Sequence, residues 1–151
     1  MERNMSVTGI SSAHTSASES DLRAGVTTGA VNLLLRLEGA AALIAATVAY
    51  DLIGGSWVMF LILFLVPDLS IAGYAFGSRT GAAAYNSVHS YLGPALLAGA
   101  AWCLHGTSTF YLISAIWIAH IGLDRLLGFG LKYAAGFKFT HLGAPHLPEP
   151  Q

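Results

Sequence analysis

Ser108-Thr-Phe-Tyr-Leu-Ile-Ser-Ala-Ile-Trp-Ile-Ala-His-Ile-Gly-Leu-Asp-Arg-Leu-Leu127 decides the fold class. At 1.5 Å per residue, an apolar run of about 20 residues crosses a hydrocarbon core of ~30 Å. The run nevertheless carries His120, Asp124 and Arg125 in its last two turns. Ionisable residues inside a membrane span are costly, so this stretch raises both an architecture and a question of function.

Working outward, three more stretches have the same character: Val31 to Tyr50, Ser56 to Phe76 and Ala83 to Leu104. Short connections join them, at Asp51–Gly55, Gly77–Gly81 and His105–Thr107. Loops this tight join antiparallel neighbours, which predicts an all-α polytopic membrane protein built as a four-helix up-down-up-down transmembrane bundle. The competing arrangement has three spans and one re-entrant segment. The membrane domain covers residues 30–143. Residues 1–29, rich in Ser, Thr, Gly and Ala, read as a disordered tail without the apolar core of a signal peptide. Gly128 to Gly143 alternates aromatic residues with Gly and Lys, as an interfacial segment does, and residues 144–151 read as a frayed tail.

Composition agrees. Hydrophobic residues make up 54% of the 151 and charged residues 10%, against about 25% charged in a soluble domain. That is too little charge to cover a water-facing surface, so the lipid bilayer is the expected partner. A net charge of −1 leaves no basic surface for nucleic acid. The single cysteine, Cys103, rules out an intramolecular disulfide and reads as a packing residue. A homo-oligomer is one assembly the pattern allows.

Charge also supplies direction. Arg3, Arg23, Arg79, Lys132 and Lys138 fall in segments that four spans place on one side, and Arg36 and Arg125 lie in spans near that side. These are all 7 basic residues, so the positive-inside rule predicts cytoplasmic termini. In this topology Glu38, Asp68, His89 and His120 share a layer about 9–12 Å below the cytoplasmic boundary. His120 and Asp124 are one helical turn apart, as are Tyr85 and His89, while Asn86 is three residues from His89. Glu38 heads a row of small residues, Ala42, Ala45 and Ala49, which would turn it into the bundle. Pro67 and Pro94 each deprive a helix of one backbone donor, and Pro67 directly precedes Asp68.

Asp68, His89, His120 and Asp124 carry the nitrogen and oxygen donors that Zn²⁺, Mn²⁺ or Fe²⁺ accepts. Glu38 would serve as general base for a metal-activated water, with Tyr85, Asn86, Arg125 and His141 in support. His141 could fold back over the mouth of the cluster. The same residues could instead relay protons or ions, pass a small solute, ligate a b-type haem through paired histidines, or form a structural or partner-binding network.

Six segments carry a family resemblance: Leu33–Gly39, Val66–Ser70, Tyr85–His89, Trp117–Arg125, Gly128–Tyr133 and Phe137–Gly143. Together they resemble a family of small bacterial integral-membrane proteins catalogued as domain of unknown function 4260. The resemblance covers residues 31–143 and implies a four-span protein of the bacterial inner membrane, with no activity attached. Pro67-Asp68 and Thr140-His141 are also similar to features of bacterial inner-membrane metal-dependent hydrolases. The His-Arg-Gly that leads into Thr-His in those proteins is replaced here by Phe137-Lys-Phe.

Overall fold

A computed structural model describes residues 25–143; the expected tails lie largely outside them. The described chain is helical. Helix α1 spans Gly29–Ile53, and α2, Trp57–Phe64, continues after a one-residue step into a 3₁₀ segment, Val66–Phe76. Helices α3, Ser78–Val88, α4, Leu92–Cys103, and α5, Ser108–Leu127, complete the order. Three segments are long and apolar enough to cross a membrane: Gly29–Ile53, Trp57–Phe76 and Ser108–Leu127. Their outer faces expose large apolar side chains such as Leu34, Ile44, Val58 and Leu61, a surface suited to lipid.

The third apolar stretch differs from expectation. It forms α3 and α4, of 11 and 12 residues, separated by a break at His89–Tyr91. Neither piece alone reaches the length of about 20 residues that a span requires. Pro94 lacks the N–H that would have bonded Ser90, and the Leu92 N–H turns to Ser90 Oγ at 3.2 Å. The C-terminal carbonyls of α3 are then taken from outside the helix. Trp117 Nε1–H donates to Val88 O at 2.6 Å, and Arg125 Nη2–H donates to His89 O at 3.3 Å. The break therefore leaves these two acceptors satisfied.

Helix α5 is the hub, with α1, α2 and α4 all packed on it. Its most extensive contact is with α1, where two glycines meet. A methyl group on Gly122 would come within 2.7 Å of the Gly39 carbonyl oxygen, so these backbones touch. The buried face of α1 is thus Gly39, Ala46 and Tyr50, with Leu43 partly buried between them. That face is rotated by about 100° from the predicted Glu38 row, because consecutive residues differ by one helical step. Ala45 and Ala49 are exposed, and Glu38 with them.

The α1–α5 pair is closed by specific groups at the C-terminal end of α5. Gly128, at φ 90°, ends α5 in the left-handed conformation, and Phe129 N–H returns to Asp124 O at 2.7 Å. Arg36 Nε–H donates to Leu126 O at 2.8 Å, placing a cation at the negative end of α5. Beyond α5 the chain folds back in a hairpin-like turn, with Tyr133 N–H bonded to Phe139 O at 2.8 Å. The expected N-terminal tail is pinned to this segment over its last residues. Thr27 N–H donates to His141 O at 2.8 Å, and Tyr133 O–H to Gly25 O at 2.6 Å.

Candidate metal centre

Four ligand atoms from Asp68, His89, His120 and Asp124 lie within 4.8 Å of one another. The elements that carry them are not equivalent. His120 and Asp124 sit one turn apart on continuous α5, which aims both at one point. Asp68 lies in the first turn of the 3₁₀ segment, just after α-helical geometry ends at Phe64. His89 is the C-cap of α3, at φ −96° and ψ 19°, where the broken stretch leaves the helix.

His89 Nε2 is 3.2 Å from His120 Nε2 and 3.5 Å from both Asp68 Oδ1 and Asp124 Oδ2. His120 Nε2 is 3.6 Å from Asp68 Oδ1 and 4.0 Å from Asp124 Oδ2. Ligands about 2.0–2.2 Å from a tetrahedral ion stand about 3.3–3.6 Å from one another, so the group has nearly the dimensions of a four-coordinate site. The tautomer of His89 also suits ligation. Its Nδ1 lies 3.0 Å from the Tyr85 carbonyl, which only accepts, so the proton resides on Nδ1 and the Nε2 lone pair faces the group. His120 Nδ1 is buried without a partner among the described residues. A porphyrin plane between the two histidines is not compatible with a 3.2 Å separation, so the haem arrangement does not fit.

Tyr85 supports the centre twice. Its hydroxyl donates to Asp124 Oδ2 at 2.8 Å, and its ring stacks on His89 with centroids 3.6 Å apart. Asn86 acts at one remove: its amide bonds both backbone groups of Lys132, tying the C-terminal hairpin to α3. Arg125 points away from Asp124, toward His89 O and His141 Nε2, the latter at 2.8 Å. His141 does fold back, yet it meets Arg125 and the Leu131 N–H rather than the four ligands. Burial first, then the Arg125 charge, lowers its pKa from the ordinary 6.5. Glu38 is exposed and outside the group, so the expectation that it points inward is not met.

Two residues gained importance only with the fold. Lys132 is buried, with Nζ 4.0 Å from the Phe137 ring centroid and 4.8 Å from that of Tyr85. Burial lowers its pKa, opposed by the charge of Asp124. Trp117 holds the broken end of α3 through its bond to Val88 O. An interfacial Lys and an apolar-run Trp carry no signal for either role in sequence.

The side chains differ in access. Asp68 is 40% exposed, Asp124 14% and each histidine 3%. The group is thus closed on three sides and approachable at Asp68. No curated protein and no solved structure matches the chain significantly. Residues 32–144, most of the chain, match the family model described as Domain of unknown function (DUF4260), and the chain belongs to that family.

Proposed function

We propose that Asp68, His89, His120 and Asp124 hold one divalent cation of the zinc, manganese or iron class, in a metal-dependent hydrolase of the bacterial inner membrane. The carrying observation is the convergence of four donor atoms within 4.8 Å, two of them histidine nitrogens in an apolar surround. A bound cation would supply Lewis acidity toward water or toward a carbonyl or phosphoryl oxygen. In hydrolysis the water oxygen bonds to carbon or phosphorus, the bond to the leaving oxygen breaks, and that oxygen takes the proton that water gives up. With Glu38 exposed, Asp68, the more exposed of the two carboxylates, would be the one to release the cation and accept that proton in transit. Positive-inside charge supports both termini in the cytoplasm and the centre in the cytoplasmic-side leaflet.

A proton or ion conduit would need polar groups beyond this layer. Beyond it the Phe64 ring stands edge-on to His120 at 5.3 Å, the core continues as Ala46, Phe60, Ala115, Ile116 and Ala119, and the hydroxyls of Tyr50 and Ser114 are each engaged by a backbone carbonyl. That sequence of side chains favours a site over a path. Elemental analysis of the purified chain tests the proposal. Near-stoichiometric metal is expected in wild type and in Glu38→Gln, and background metal in His120→Ala. Substoichiometric metal in wild type, unaltered by His120→Ala, overturns it.

A further inference from the structure

The C-terminal hairpin carries a small pocket of about 260 Å³, with Phe129, Lys132, Phe137, Lys138 and Thr140 among its walls. We infer that this pocket binds a phosphate group, held by Lys132 and, at the rim, by exposed Lys138. Lys132 is only 7% exposed, yet among the described residues no carboxylate lies within ion-pairing distance of any Lys or Arg. Its Nζ stands over the Phe137 ring at 4.0 Å and that of Tyr85 at 4.8 Å. It has no hydrogen-bond acceptor among the described residues, and it is not one of the atoms sealed from contact. An ammonium carries three N–H donors, and aromatic faces offset its charge only in part. Buried charges are ordinarily paired and hydrogen-bonded, so the group that suits this wall is an oxyanion. Two larger hollows, beside Leu63 and Trp117 and beside Trp102 and Tyr111, have no buried charge in their walls.

The cation is also held in place. Asn86 bonds both backbone groups of Lys132, at 2.7 and 2.9 Å, so α3 fixes the root of the side chain. Phosphate is the oxyanion that fits the location. Gly128 to Gly143 has the composition of an interfacial segment, and exposed Phe129 and Phe137 flank the pocket as headgroup-level anchors do. Phosphates are the abundant anions at that level. The Tyr85 ring links the pocket to the centre: His89 stacks on it at 3.6 Å, and Lys132 Nζ approaches the same ring. None of the four ligands lines the pocket, so the phosphate is a handle for recognition and not the group attacked. Naming its bearer as the substrate rests on the metal-centre reading; the binding of phosphate does not.

Thermal unfolding of the full chain in a neutral detergent tests the pocket against three additions. They are phosphatidylglycerol, diacylglycerol (the chains without the phosphate), and inorganic phosphate compared with chloride at equal ionic strength. A saturable rise of about 5 °C in the wild-type midpoint is expected with a phosphate-bearing addition, and none with diacylglycerol. Response to the lipid alone makes a headgroup the source, and response to inorganic phosphate makes it a soluble phosphate compound; either supports the pocket. Lys132→Met keeps an aromatic contact and removes the charge. Without phosphate it should melt no lower than wild type, and phosphate should not raise it. Lys138→Gln should lose a smaller part of the rise, and Arg79→Gln, outside the pocket, none. A wild-type midpoint that neither phosphate source moves overturns the inference. So does a Lys132→Met chain that melts lower throughout yet still responds, since Lys132 would then be a structural staple. A rise in a wild-type chain that holds no metal upholds the pocket and overturns the metal reading alone.

Discussion

The α1–α5 pair and the stretch from Trp57 to Cys103 both contain segments long and apolar enough to cross a membrane, yet they behave in opposite ways. The first is two unbroken helices in backbone contact at Gly39 and Gly122. The second leaves regular α-helix twice, at Leu65 and at His89–Tyr91, and each departure lies within three residues of a ligand. A continuous helix can repeat a direction every turn, which suffices for His120 and Asp124. Bringing Asp68 and His89 to the same point requires the backbone to change course. Regularity builds the frame, and irregularity aims the ligands.

The comparison breaks first if the frame is not what holds α1 to α5. Gly122→Val should be the most damaging change, since even a methyl there meets Gly39 O at 2.7 Å. A loss of about 3 kcal/mol in reversible denaturation in detergent is expected, at the upper end for overpacking. Stability within about 0.5 kcal/mol of wild type would mean that the contact is loose.

The irregular half is probed next through Tyr85→Phe. It removes the hydroxyl that donates to Asp124 but keeps the ring on His89. Metal affinity should fall about 10–100-fold, as when an outer-shell partner is lost, with helical content unchanged. A smaller effect is expected from Trp117→Phe, which strips Val88 O of its donor. About 1 kcal/mol of stability should go, and amide exchange should quicken at the end of α3. Unchanged exchange there would show that Pro94 alone maintains the break.

The smallest effect concerns the hairpin that the frame carries. His141 has a folded pKa below its ordinary 6.5, so the unfolded chain binds its proton first as pH falls. The penalty is absent above about pH 7.5, grows through the ordinary value, and levels off below the folded one. Amide exchange at Leu131 should therefore rise, relative to its intrinsic rate, between pH 7 and 5 in wild type and stay flat in His141→Gln.

How far the site was readable depends on the residue. His120 and Asp124 could be paired from spacing alone, because both belong to one regular helix. Asp68 and His89 joined them through a depth argument, which survives a helix break because depth depends on chain direction more than on rotation. Glu38 failed for the complementary reason. The depth argument includes it as well, but its rotation is set by the Gly39–Gly122 contact, one residue away and invisible without the partner helix. Family membership and long apolar helices were legible from the segments themselves.

By itself, the sequence determined that the chain is helical, that it carries stretches long and apolar enough for a membrane, and that ionisable residues fall within them. These properties are local: they follow from composition over about 20 residues and from the rise of a helix. Only the tertiary structure decided that the third stretch breaks, that Glu38 faces outward, and that four donors converge. Those outcomes turn on which backbone groups find partners in another helix, such as Val88 O with Trp117, and on where glycines allow two backbones to touch. Side-chain direction is set at such contacts, and no periodicity within one segment encodes it.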